Sequence, residues 1–132
     1  MIPALLGLAL AAGQASDPLV GTWRGTSTCT VRPSPCNDEI AVYYVTRTGP
    51  GRYHMLMHKV VGGVEGPMGE LDLTDDRAAH RLSATTFDRQ KRPGTWTFAL
   101  DGDRMHGTLV VVGQRYRVIE LRRDSHWAIR AL

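Results

Sequence analysis

The sequence predicts an all-β fold, an eight-stranded antiparallel up-and-down barrel. Three observations predict it. Large apolar residues recur at every second position, most plainly in Gly94-Thr95-Trp96-Thr97-Phe98-Ala99-Leu100, and that period puts side chains on alternate faces of a strand. Turn chemistry interrupts these runs every roughly 10–13 residues. No stretch beyond the first fifteen residues carries the apolar repeat of a long amphipathic helix. A flat sheet of this many strands would expose two edges, and closure into a barrel removes both.

The elements follow in order. Residues 1–15 precede the barrel: Ile2 to Ala12 is almost wholly apolar, and Gly13-Gln14-Ala15 supplies small residues. This reads as a secretory signal peptide cut after Ala15, too short for the roughly 20 residues that span a bilayer. Residues 16–132 then form a single domain. The first strand runs from Val20 to Thr30, and the Cys29 to Cys36 loop closes it. The second, Glu39 to Thr48, sets Ile40, Val42 and Tyr44 against Ala41, Tyr43 and Val45; both faces are apolar, and the first is assigned inward. Gly49-Pro50-Gly51 is a turn, because Pro fixes φ and Gly permits the positive φ that follows. The third strand is Arg52 to Val61. Gly62-Gly63 breaks the chain and Gly66-Pro67 breaks it again, before a fourth strand from Met68 to Leu73. Thr74-Asp75-Asp76 turns into a fifth, His80 to Phe87. Lys91-Arg92-Pro93-Gly94 leads into the sixth, up to Leu100. The seventh, Arg104 to Val112, and the eighth, Arg115 to Arg123, join around Gly113-Gln114. The tail, Asp124 to Leu132, forms a short helix or an extra strand that packs through Trp127 and Ile129. An immunoglobulin-like sandwich is the alternative, but it needs longer crossings than these connections allow.

Sixteen Lys and Arg against thirteen Asp and Glu give a formal charge of +3. Lysine occurs only at Lys59 and Lys91, so the excess is arginine, scattered and interleaved with acids. No run of Arg alternates with aromatics, which argues against a nucleic-acid groove. Cys29 and Cys36 flank Thr30-Val31-Arg32-Pro33-Ser34-Pro35. In an oxidising compartment such a pair forms a disulfide, whereas a zinc site needs more ligands and redox motifs use tighter spacing. Signal and cysteines together place the protein in the periplasm or outside the cell.

Val20-Gly21-Thr22-Trp23 and Tyr116-Arg117-Val118-Ile119-Glu120-Leu121 resemble the lipocalin-like (calycin) barrels. In that superfamily a Gly-x-Trp opens the barrel, and an Arg of the last strand packs over the indole at the closed end. The resemblance implies that role for Arg117 over Trp23, with Arg122 and Arg123 as substitutes. It covers the mature chain in length and strand count, and in motif only those two stretches. The family's acidic loop residue beside a Tyr pair is missing, which points to a bacterial lipocalin-like relative.

Several constellations invite chemistry. Tyr53-His54-Met55-Leu56-Met57-His58-Lys59 has the residue types that bind copper. Strand alternation sends Met55 and Met57 to one face and His54 and His58 to the other, so they do not converge on one ion. Asp101-Gly102-Asp103 reads as a hairpin turn, lacking the remaining ligands of a calcium loop. Glu70, Asp72, Asp75 and Asp76 read as a solvated edge. No nucleophile elbow, zinc-protease motif, phosphate loop or free Cys is present. We therefore expect no enzyme, no metal and no cofactor.

Parity assigns the lining. Tyr44, Tyr53, Met55, Met57, Trp96, Phe98 and Met105 are expected to face inward, with Leu109, Val111 and Leu100 beside them. Apolar walls with Tyr44, Tyr53 and Arg117 as polar handles are how a small-molecule site is built; the same residues equally make a fully packed core with no cavity. The expected function is a monomeric exported barrel binding a small apolar molecule, without nucleic acid or membrane insertion. The alternative is an inhibitor of an exported enzyme, acting through loops or the arm Ser16-Asp17-Pro18-Leu19.

Overall fold

The computed structural model describes residues 17–78 and 81–124. The proposed signal peptide, His80 and the tail beyond Asp124 lie outside them. Eight strands follow one another: β1 (Gly21–Cys29), β2 (Glu39–Gly49), β3 (Arg52–Val61), β4 (Val64–Asp76), β5 (Arg81–Phe87), β6 (Pro93–Asp101), β7 (Arg104–Val111) and β8 (Gln114–Arg123). All neighbours are antiparallel, and the sheet closes as a barrel in chain order. Closure is direct: β1 pairs with β2 on one side and with β8 on the other, from Trp23↔Arg123 to Cys29↔Arg117.

The expected break at Gly66-Pro67 does not occur. β4 starts at Val64 and runs through it. Met57 pairs with Gly69 and His58 with Pro67, so Met68 is an extra residue in the ladder. A bulge tolerates a residue that lacks an N–H, which is why Pro67 bends this strand without ending it.

β4 and β5 are the least joined neighbours. They pair only at Thr74↔Ser83, Asp75↔Leu82 and Asp76↔Arg81, whereas β5 stays paired with β6 as far as Phe87↔Pro93. The wall therefore splays between β4 and β5 toward the end that carries the Cys29 to Cys36 loop.

Odd-numbered residues of β1, β2 and β3 face inward. Directly opposite residues of an antiparallel pair share a face, and Trp23, fully buried, lies opposite Tyr43. Ala41, Tyr43 and Val45 are therefore the inward set of β2, and Ile40 is 46% exposed, which reverses the assignment made from the sequence. Trp23, Tyr43, Met55, Phe98, Met105 and Ile119 fill the middle of the barrel, each at most 1% exposed. This is the filled interior that a barrel of eight strands accommodates.

Cys29 and Cys36 are joined, with an S–S length of 2.02 Å and Cα atoms 6.1 Å apart. Asp38 Oδ1 accepts from the Cys29 amide at 2.8 Å and from Arg32 at 2.6 Å, tying down the loop's far end. The Cys29 amide bond, aided by Arg32, holds the Asp38 carboxyl below its ordinary range. Reduction is expected to cost about 2–3 kcal/mol on the loop-entropy argument. Urea unfolding with and without a phosphine reductant measures it; an unchanged midpoint would show that hydrogen bonds alone hold the loop.

Candidate functional site

The two ends of the barrel differ. At the end where β1 begins, Trp23 donates from Nε1 to the Leu19 carbonyl at 3.0 Å. The Arg123 guanidinium lies 4.5 Å from the centre of the Trp23 ring and donates to the carbonyls of Val20, at 3.0 Å, and Pro18. Asp17 accepts from the Leu19 amide at 2.9 Å and from the Tyr53 hydroxyl at 2.6 Å. Burial and that carboxylate push the Tyr53 hydroxyl up to about 12. These bonds fold residues 17–20 over this end of the barrel, leaving a cavity of about 280 Å³ between Pro18, Leu19 and the side chains of Leu82, Phe98 and Leu100. The residues expected to serve as an inhibitory arm are thus folded back here, as far as they are described.

Arg123, not Arg117, caps the indole. Register decides this: Trp23 is opposite Arg123, and Arg117 is opposite Cys29 at the far end of the same ladder. Arg117 and Arg123 have the same parity on β8, and parity carries no information about height along the strand.

At the far end the inward residues are only partly covered. Glu39, Trp96, Leu109 and Arg117 are all half-buried although they face the interior, so this end is open. Arg117 donates to Ser27 Oγ at 2.9 Å and reaches Glu39 Oε1 at 3.5 Å. The two side chains remain only 15% and 11% exposed. Glu39 Oε2 and the Tyr43 hydroxyl are buried with no hydrogen-bond partner. Ser27 is near the Tyr43 hydroxyl but is not placed to bond it well. Burial, then the charge of Glu39, pushes this phenol up to about 12, so it keeps its proton at neutral pH. Aromatic rings line one wall: Tyr43 meets Phe98 edge-on at 6.5 Å, and Phe98 stacks on Trp96 at 6.5 Å with planes 8° apart. Thr86 holds the Trp96 indole N–H at 2.9 Å.

Of the residues expected to bind a ligand, Met57 and Trp96 belong to this open end. Met55, Phe98 and Met105 sit deeper, and Tyr53 belongs to the closed end. Tyr44 lies outside the barrel, as the β2 facing requires. Its hydroxyl donates to Glu65, and its ring meets His58 edge-on at 5.1 Å. Burial and the Glu65 bond push it up to about 12. Sequence reasoning missed Ser27, Glu39 and Tyr43. The signal was an acid two residues before Ala41 and four before Tyr43, on the face that register turns inward.

His54 and His58 face outward, opposite to Met55 and Met57, as alternation requires. His54 is held between Asp72 at 3.0 Å and Glu70 at 3.1 Å, and the Asp72 bond chiefly raises its pKa. His58 meets Glu65 at 2.8 Å. Among the described residues no group of His, Cys, Asp and Glu is arranged to hold a metal ion.

The open end offers apolar walls, one guanidinium, one carboxylate oxygen able to accept, and one neutral phenol. No family model, curated protein or solved structure matches the chain, so its likeness to other barrels rests on eight strands closing in chain order and on an arginine over an indole at one end.

Proposed function

We propose that this is an exported, lipocalin-like barrel that binds a small, mostly apolar molecule at its open end through a hydrogen-bond donor. One observation carries the reading: Glu39 Oε2 and the Tyr43 hydroxyl are buried beside Arg117 without partners. A buried polar group left unpaired costs about 1–3 kcal/mol, and a ligand that donates to Glu39 and accepts from Tyr43 recovers it. Met57, Trp96 and Leu109 supply apolar wall, and the filled middle limits the ligand to the mouth. The Cys29–Cys36 bridge and the apolar leader of residues 1–15 support export into the periplasm or beyond. The Trp23–Arg123 cap at the closed end supports kinship with lipocalin-like barrels.

Tyr43→Phe tests the reading, because it removes one oxygen and no existing bond. Titration with 2-naphthol, an apolar fluorophore whose single hydroxyl can donate to Glu39 and accept from Tyr43, reads binding by fluorescence. Native mass spectrometry of the unmutated protein reads any retained molecule. Tyr43→Phe is expected to weaken dye binding about tenfold and to raise stability of the empty barrel by about 1 kcal/mol. Absence of both dye enhancement and a retained mass would overturn the proposal, as would unchanged affinity in Tyr43→Phe.

A further inference from the structure

The outer wall carries a charge arrangement that the sequence hides. Arg24 on β1 pairs directly with Arg122 on β8, and Arg122 pairs directly with Arg104 on β7. Three guanidinium-bearing side chains therefore stand in one row across three strands, all exposed. Neighbouring strands are about 4.8 Å apart, so the row spans roughly 10 Å. It borders a groove of about 400 Å³ lined also by Gly25, Thr26, Glu120 and Leu121.

Like charges directly opposite one another destabilise a sheet, and this row contains two such pairs. The nearby acids relieve it only at the Arg24 end, where Glu65 and Asp124 lie near Tyr44. Glu120 faces His106 at 2.5 Å, and Asp103 faces Arg123 at 3.5 Å. Arg24 lies near enough to Tyr44 and Glu65 to act on them electrostatically. The guanidinium groups of Arg104 and Arg122 have neither an ion pair nor a hydrogen bond to another described residue. Each guanidinium offers a planar fork of donors that matches a phosphate or sulfate edge. An anion with two adjacent oxyanion groups along one axis would neutralise both repulsive pairs at once.

We propose that the Arg24–Arg122–Arg104 row is a binding site for a ligand bearing two neighbouring phosphate or sulfate groups. The site lies on the outer wall and stands independently of any ligand at the barrel mouth. Tripolyphosphate and a heparin-derived sulfated tetrasaccharide are the two probes, with inorganic phosphate as the single-oxyanion control. Thermal unfolding at low ionic strength is expected to shift upward with at least one probe, more than with inorganic phosphate. The shift should shrink as salt screens the row. Arg122→Gln removes the central charge: its midpoint should rise in the absence of anion, and its affinity for the effective probe should fall at least tenfold. Arg81→Gln, on β5 away from the row, should bind as the unmutated protein does. A response to tripolyphosphate alone identifies a condensed phosphate, and a response to the saccharide alone identifies a sulfated glycan. No shift with either probe, or an equal shift in Arg122→Gln, would overturn the site; so would a lower midpoint of Arg122→Gln without anion.

Discussion

Gly25→Ala is expected to destabilise the barrel by at least about 3 kcal/mol, the largest effect of adding a single methyl group to this chain. The reason is proximity. A Cβ on Gly25 would drive into the Glu120 carbonyl oxygen, with the Glu120 carbonyl carbon at 2.9 Å and Leu121 Cα at 3.0 Å. All three atoms are backbone of β8, and they belong to the ladder that closes the barrel. No side-chain rotation relieves such a clash, so β1 and β8 must part. Gly107→Ala is the informative comparison. Its Cβ would meet the Phe98 ring at 2.5 Å and 2.6 Å, and a ring can tilt, so the cost is expected nearer the ordinary 1–3 kcal/mol (roughly) of overpacking. Urea unfolding of the two variants gives both numbers. Gly25→Ala within about 1 kcal/mol of the unmutated protein would mean that the closing ladder is looser than this geometry.

Strand positions were legible because turn chemistry and period-two patterning agree along most of the chain. Depth and facing were less so. In β2 every residue from Ile40 to Val45 is apolar, so parity alone cannot choose between Tyr43 and Tyr44. The choice is made by pairing with Trp23, a contact between segments twenty residues apart. Arg117 and Arg123 share a face of β8, and only the register of the β1–β8 ladder separates a polar anchor at the open end from a cap at the closed one. Pro67 breaks the local strand pattern, yet β3 continues beside it and carries β4 through. The arginine row was illegible for the same reason: Arg24, Arg104 and Arg122 are remote in sequence, and only closure makes them neighbours. Local chemistry writes the elements; the pairing of distant elements writes the sites.

Trp23→Ala is expected to cost about 3–5 kcal/mol, as deletion of a fully buried aromatic side chain does. Trp23 is wholly inaccessible to solvent and sits in the central cluster. Its removal also leaves the Leu19 carbonyl without its indole donor and Arg123 without the ring beneath it. Residues 17–20 should then come away from the closed end, which faster amide exchange at Leu19 and Val20 would reveal. Trp23→Phe keeps an aromatic face for Arg123 but loses the N–H donor, so its cost is expected to be smaller. Arg123→Ala should lose about 1–2 kcal/mol through the ring contact and the Val20 carbonyl bond, and it should speed exchange at the same two amides. Arg117→Ala should leave those amides protected, since it anchors Ser27 and Glu39 at the opposite end. The reverse pattern, with Arg123→Ala silent and Arg117→Ala opening Leu19 and Val20, would return the cap to the residue that the lipocalin-like motif first suggested.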